Sequence, residues 1–137
     1  MADITVTAAN VHIYGGAIIE VVQFGEAMTA GQSTYQLSSD LKYYKADTDA
    51  SAAAAAAKGV VITGAATGAY GVICNSGAID VGATLTVGVP YIVSATAGGI
   101  APAPDFAGYT GAFEQHLGYA SAADTLVLAP TTTGATN

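Results

Sequence analysis

Arginine and tryptophan are absent from this 137-residue chain, and there is a single cysteine, Cys74. Lys42, Lys45 and Lys58 are the only fixed cations against ten Asp and Glu, leaving a net charge of −7. A phosphate-binding face needs clustered cations to release counterions, and no two here are nearer in sequence than Lys42 and Lys45. That shortage argues against direct nucleic-acid binding. It also argues against docking on anionic membranes, which are recognised by basic clusters. One cysteine cannot close an intramolecular disulfide, so no oxidising compartment is implied. No run approaches the roughly 20 apolar residues of a membrane-spanning helix. The opening Met1-Ala2-Asp3 leads into neither the basic stretch nor the long apolar stretch of a signal peptide, so the expectation is synthesis in the cytoplasm in soluble form.

Charged residues make up only 9% of the chain, against about 25% in an ordinary domain. Much of the surface must then be Ser, Thr, Asn, Gly and Ala, which suits packing into a permanent assembly. The 52% hydrophobic content overstates the core, because 30 of those residues are Ala and each contributes little area. The length is that of one domain.

Short β-type runs are punctuated by Gly, Asn, Asp and Ser. Ile4, Val6 and Ala8 alternate with polar residues, and Val11 and Ile13 resume the alternation, as in a half-buried strand. After Gly15-Gly16, residues 17–24 are apolar on both faces apart from Glu20 and Gln23, the pattern of a central strand. Residues 33–37 and 41–45 flank a polar turn and read as a hairpin. Adjacent Tyr43 and Tyr44 then point to opposite faces. One helix is expected: Asp49 or Ser51 caps it, six consecutive Ala residues propagate it, Lys58 complements its dipole and Gly59 stops it. Further strands are expected at 60–63, 69–74, 83–87, 91–94, 113–119 and 125–128, with 101–105 as a surface connection because of its two prolines. The fold class is therefore mainly β, a small barrel or sandwich with one short Ala-rich helix. Its divisions are an N-terminal strand or arm (1–24), a compact β domain (25–129) and a flexible tail (130–137).

No group of residues carries recognisable chemistry. Cys74, His116 and Asp124 supply the residue types of a nucleophile, base and orienter. Cys74, however, sits in an apolar strand pattern, where a thiol is ordinarily a small core residue. Asp47, Asp49 and Ser51 open like a calcium loop, but the sixth position is Ala52 rather than Gly and the twelfth is Lys58 rather than Glu. His12 and His116 lack neighbours at metal-ligand spacing. Gly64 to Gly71 is glycine-rich without the Lys-Ser/Thr of a phosphate loop, and reads as a tight turn. The residues thus assign no catalytic, metal or cofactor site and no small-molecule substrate, and the expectation is a non-enzymatic protein.

Two segments resemble the capsid cement family of tailed phages, with the head decoration proteins of lambda-like phages as distant relatives. The first runs from Gly25 through Tyr35, with Lys42-Tyr-Tyr-Lys-Ala-Asp47, the Ala run and Gly59-Val-Val following. The second runs from Tyr91 to Pro102, then Asp105, Leu117 to Ala120 and Thr125 to Leu128. The resemblance is one of arrangement over roughly residues 25 to 128. It implies a compact, often trimeric β domain on the outside of the virion, clamping major capsid protein subunits without cofactor or catalysis. Residues 1–24 lie outside it; as an arm, the run Asp3 to Ile13 would present Ile4, Val6, Val11 and Ile13 as the expected capsid or subunit contacts, and the alternative is that this run is the first strand of the barrel. The other binding reading, prompted by eight Tyr residues, is a receptor- or glycan-binding module of a head fibre or tail. A small hydrolase using Cys74 is the third.

Overall fold

The computed structural model describes residues 3–136. The protein is mainly β, an antiparallel sheet curled into a half-barrel with a few short helices. Its strands are β1 (His12–Ile13), β2 (Ile18–Gln23), β3 (Ser33–Gln36), β4 (Tyr43–Lys45), β5 (Gly59–Thr63), β6 (Tyr70–Asp80), β7 (Pro90–Val93), β8 (Ile100–Pro102), β9 (Phe113–Ala122) and β10 (Thr125–Thr136). The main path runs β4-β3-β5-β6-β10-β9-β7-β8, and β1 and β2 both pair with β6.

β6 organises the molecule. Its first half pairs with both β2 and β5, and its second half with β1 and β10. Between the halves, Gly77 has φ +100, and a Cβ there would lie 2.7 Å from Ala17 Cα. The missing side chain lets the link between β1 and β2 pass against β6. Strand alternation then divides two cores. Val60 and Cys74 face a large one with Ile79, Leu117, Leu126 and Leu128, whereas Val61 and Ile73 face a smaller one with Val22, Phe24, Met28 and Tyr43. Burying β5 and β6 on both faces accounts for their apolar, β-branched sequences.

The expected hairpin forms, pairing Tyr35 with Tyr44. Tyr43 is buried and its hydroxyl donates to Glu20, while the Tyr44 hydroxyl donates to Asp40 at 2.6 Å. Residues 101–105, expected as a surface connection, are one only in part: Ala101, fully buried, and Pro102 pair with β7 in the edge strand β8, where a proline is tolerated, and a 3₁₀ segment follows over Ala103–Gly108.

Several expectations are corrected. The Ala helix, α1, is one turn, Ala52–Ala55, with Ser51 Oγ accepting from Ala54 N at 3.0 Å. Alanine propensity does not offset the cost of helix nucleation over so few residues. Gly59 is no helix stop, since it begins β5 opposite Thr34. Residues 83–87 form no strand; Leu85 is pinned by its N–H to Ala123 O, and Thr86 N donates to the Tyr91 hydroxyl. Strand β2 is not central: its one ladder partner is β6.

The ends of the chain also differ from expectation. Residues 130–136, expected as a tail, continue β10 against β9 in a bulged register, where Thr132 Oγ1 donates to Gln115 Oε1 at 2.6 Å. Threonines favour that pleated, half-exposed setting. Residues 3–11 are not a strand but an extended segment ending in a 3₁₀ turn, Ala8–Asn10. They are bonded to the body by Ile4 N to Ile100 O and Thr7 N to Gly82 O. Met1, Ala2 and Asn137 lie outside the described residues.

Candidate functional site

The sequence-derived contact residues fall in different environments. Ile4 packs against the large core, Val6 and Val11 are half-buried over the backbone of Gly31, and Ile13 on β1 is exposed. In the isolated chain, the first three cover their own domain. The outward apolar surface lies one strand later, on β2, where Ile18 is 60% exposed, Ile19 47% and Val21 70%.

This face follows from register. Val21 is paired with Val72 and Gln23 with Tyr70, so Val21, Gln23, Val72 and the exposed Tyr70 share one side of the β2–β6 ribbon. Val22 turns to the opposite side and enters the small core, while the exposed Glu20 accepts from the Tyr43 hydroxyl and Asn75 Nδ2. An apolar strand with one ladder partner offers an adjoining chain its outer backbone groups and its side chains together. Hydropathy of residues 17–24 marks a strand, and it cannot tell a strand covered on both faces from one left at an edge.

A second surface lies on the outer side of β7, β9 and β10. Pro90 and Val127 flank Tyr119, which is 50% exposed, and His116 is opposite Thr131. His116 Nε2 lies 3.6 Å from Glu114 Oε1, and the Thr133 hydroxyl donates to the same carboxylate at 3.0 Å. Pro90, His116, Gly118, Tyr119, Thr131 and Thr133 border an open groove of about 460 Å³.

The other candidates do not converge. Cys74 is fully buried in β6, its thiol donates to Ser76 O at 3.2 Å, and burial pushes its pKa up. His116 is on β9, and Asp124 sits in the β9–β10 turn, accepting from the Thr125 hydroxyl. Asp124 borders a hollow of about 720 Å³ with His12 and Asp80 rather than with His116. Burial, then a side-chain hydrogen bond with Asp49 and repulsion by its charge, push Asp47 up to about 6, against the opposing effect of the hydrogen bond that Asp49 N donates to Asp47 Oδ1. Residues 64–69 form the turn between β5 and β6, with Ala65 bridged to Met28, and Tyr70 and Gly71 already pair with β2. Among the described residues, no three His, Cys, Asp or Glu side chains gather where they could hold a metal.

No protein-family model, no curated protein and no solved structure matches this chain.

Proposed function

We propose that the protein is a capsid cement, binding the exterior of an expanded phage head as a trimer and clamping major capsid protein subunits. The observation that carries this reading is the β2 edge: Ile18, Ile19 and Val21 are exposed on a body whose charged residues are only 9% of the chain. A lone exposed hydrophobe is ordinary, whereas several on one edge strand form an adhesive strip. The strip is too small for a tight pairwise complex, which buries about 800 Å² per partner. Three linked copies would convert weak footprints into long residence by raising effective concentration. Preference for the intact lattice then stabilises it by mass action. The arrangement of residues 25–128 that resembles the cement family supports the same reading.

The test is to titrate the protein onto expanded, undecorated heads and follow their disruption temperature. A saturable rise is expected, with mild salt dependence because few cations are available to form ion pairs. No shift at saturating protein overturns the proposal. A second reading, a receptor- or glycan-binding module of a head fibre or tail, is favoured by the exposed rings of Tyr70 and Tyr119.

A further inference from the structure

We infer that Leu41, at the tip of the β3–β4 hairpin, inserts into the pocket between α1, β9 and β10 of a second copy of this chain. The inference concerns the free protein and does not depend on binding to heads. Three observations carry it.

The first is the tip itself. Lys42 O accepts from Leu37 N and Leu37 O from Leu41 N, which closes the loop with Leu41 at φ +61. Among the described residues, Leu41 alone has a positive φ without being glycine, in a conformation that suits Gly or Asn. Its side chain is also 65% exposed. A branched apolar residue here costs twice, in backbone strain and in contact with water, and neither cost serves the isolated fold. Burial against another molecule recovers the second.

The second is the pocket. Ala52 and Ala55 of α1, Phe113 of β9 and Ala135 of β10 border a hollow of about 230 Å³. Two of its polar side chains satisfy each other, Thr132 Oγ1 donating to Gln115 Oε1 at 2.6 Å, which leaves the alanines and the phenyl ring as an apolar wall. A dry cavity of about 150 Å³ holds a benzene molecule, so an isobutyl side chain fits here. Leu41 of the same chain does not occupy it. Asp47 N donates to Ala54 O, setting α1 beside the far end of β4, and the extended chain from Leu41 to Asp47 spans roughly 20 Å.

The third is charge. Copies that carry −7 each repel one another, so a self-contact is favoured where a lysine meets a carboxylate. Lys42 adjoins Leu41, and Glu114 is the charged residue of the described pocket lining. Asp40, on the other side of Leu41, is turned back to accept from the Tyr44 hydroxyl and Lys42 N–H. Knob and pocket are different surfaces, so the contact is head-to-tail and each copy carries one of both.

The experiment uses the full chain, with association followed by analytical ultracentrifugation. Reversible self-association with a Kd below about 1 mM is expected. Leu41→Asn suits the left-handed backbone, so it should weaken association about tenfold or more, yet raise the melting temperature at dilutions where both proteins are monomeric. Val87→Ser, at a similarly exposed apolar site, should leave association unchanged. Ala52→Phe fills the pocket and should also abolish association. Leu41→Asn keeps the pocket and Ala52→Phe keeps the knob, so a mixture of the two should form a heterodimer and nothing larger. A parent chain that is monomeric at about 1 mM, a Leu41→Asn variant that associates like the parent or melts lower, or a mixture without heterodimer overturns the inference. Should Ala52→Phe fail to fold, Ala135→Phe replaces it with the same expected outcomes. None of these measurements involves heads, so this inference and the cement reading fall separately.

Discussion

The Ser94 hydroxyl donates a 2.6 Å hydrogen bond to Asp3 Oδ1, tying the N-terminal segment to the end of β7 across 91 residues of sequence. Ser94 is buried, its Oγ also accepts from Thr96 N, and Ile4 N bonds Ile100 O beside it. Ser94→Ala should therefore lower stability by about 1–2 kcal/mol, because a charge-assisted bond is lost and a carboxylate oxygen is stranded. Deleting residues 2–13 should cost far more, since Ile4 leaves the large core and β6 loses β1. Denaturant titration of both variants checks this. A truncated protein as stable as the parent would instead restore residues 3–13 as an arm free to reach the shell.

Cys74 has no exposed surface, and its thiol is held off ionisation by burial. Thiol reagents should modify it only after unfolding, and Cys74→Ala should cost about 1–2 kcal/mol through lost packing. Rapid labelling of the native protein would contradict this placement.

Asp47 and Asp40 move stability in opposite directions with pH. With its folded pKa raised to about 6 from 3.8, Asp47 binds a proton more readily in the folded state. Its contribution is present below about pH 4 and is lost as pH rises through 6. Asp40 is lowered by hydrogen bonds from the Tyr44 hydroxyl and Lys42 N–H, so its contribution is present above its ordinary range and lost as pH falls. Asp47→Asn should thus gain stability relative to the parent above pH 6, and Asp40→Asn should lose it there. Thermal melts between pH 3 and 8 separate the two slopes.

Val21→Lys places a charge on the most exposed part of β2. Folding stability should change by no more than about 0.5 kcal/mol, as for an ordinary surface site. Binding to expanded heads should fall sharply. Full head binding by this variant would move the contact surface elsewhere.

Much of the fold is local and was legible in the residues. Alternation fixes the β class and the Ser38-Ser39-Asp40 turn fixes the β3–β4 hairpin, whereas the two prolines mark the 3₁₀ segment but did not reveal that Ala101 and Pro102 pair in the edge strand β8. These follow from side-chain period and backbone restriction, which act within a few residues. The shortness of α1 was not legible, because the same six alanines support one turn or two depending on what they pack against. The extension of β10 to Thr136 was not legible either, since a polar threonine run becomes a strand only where β9 offers an edge.

The contact surface shows the same division. The sequence by itself determined that the protein has few cations, a buried-type thiol and two runs, 4–13 and 17–24, rich in β-branched apolar residues. Tertiary structure alone decided which apolar residues face outward, turning Ile4 in against the large core and leaving Val21 exposed. Hydrophobicity records only that a residue gains by leaving water. Where enough neighbours exist to cover it is settled by pairing across long separations, here by β6, whose ladder to β2 buries Val22 and turns Val21 out.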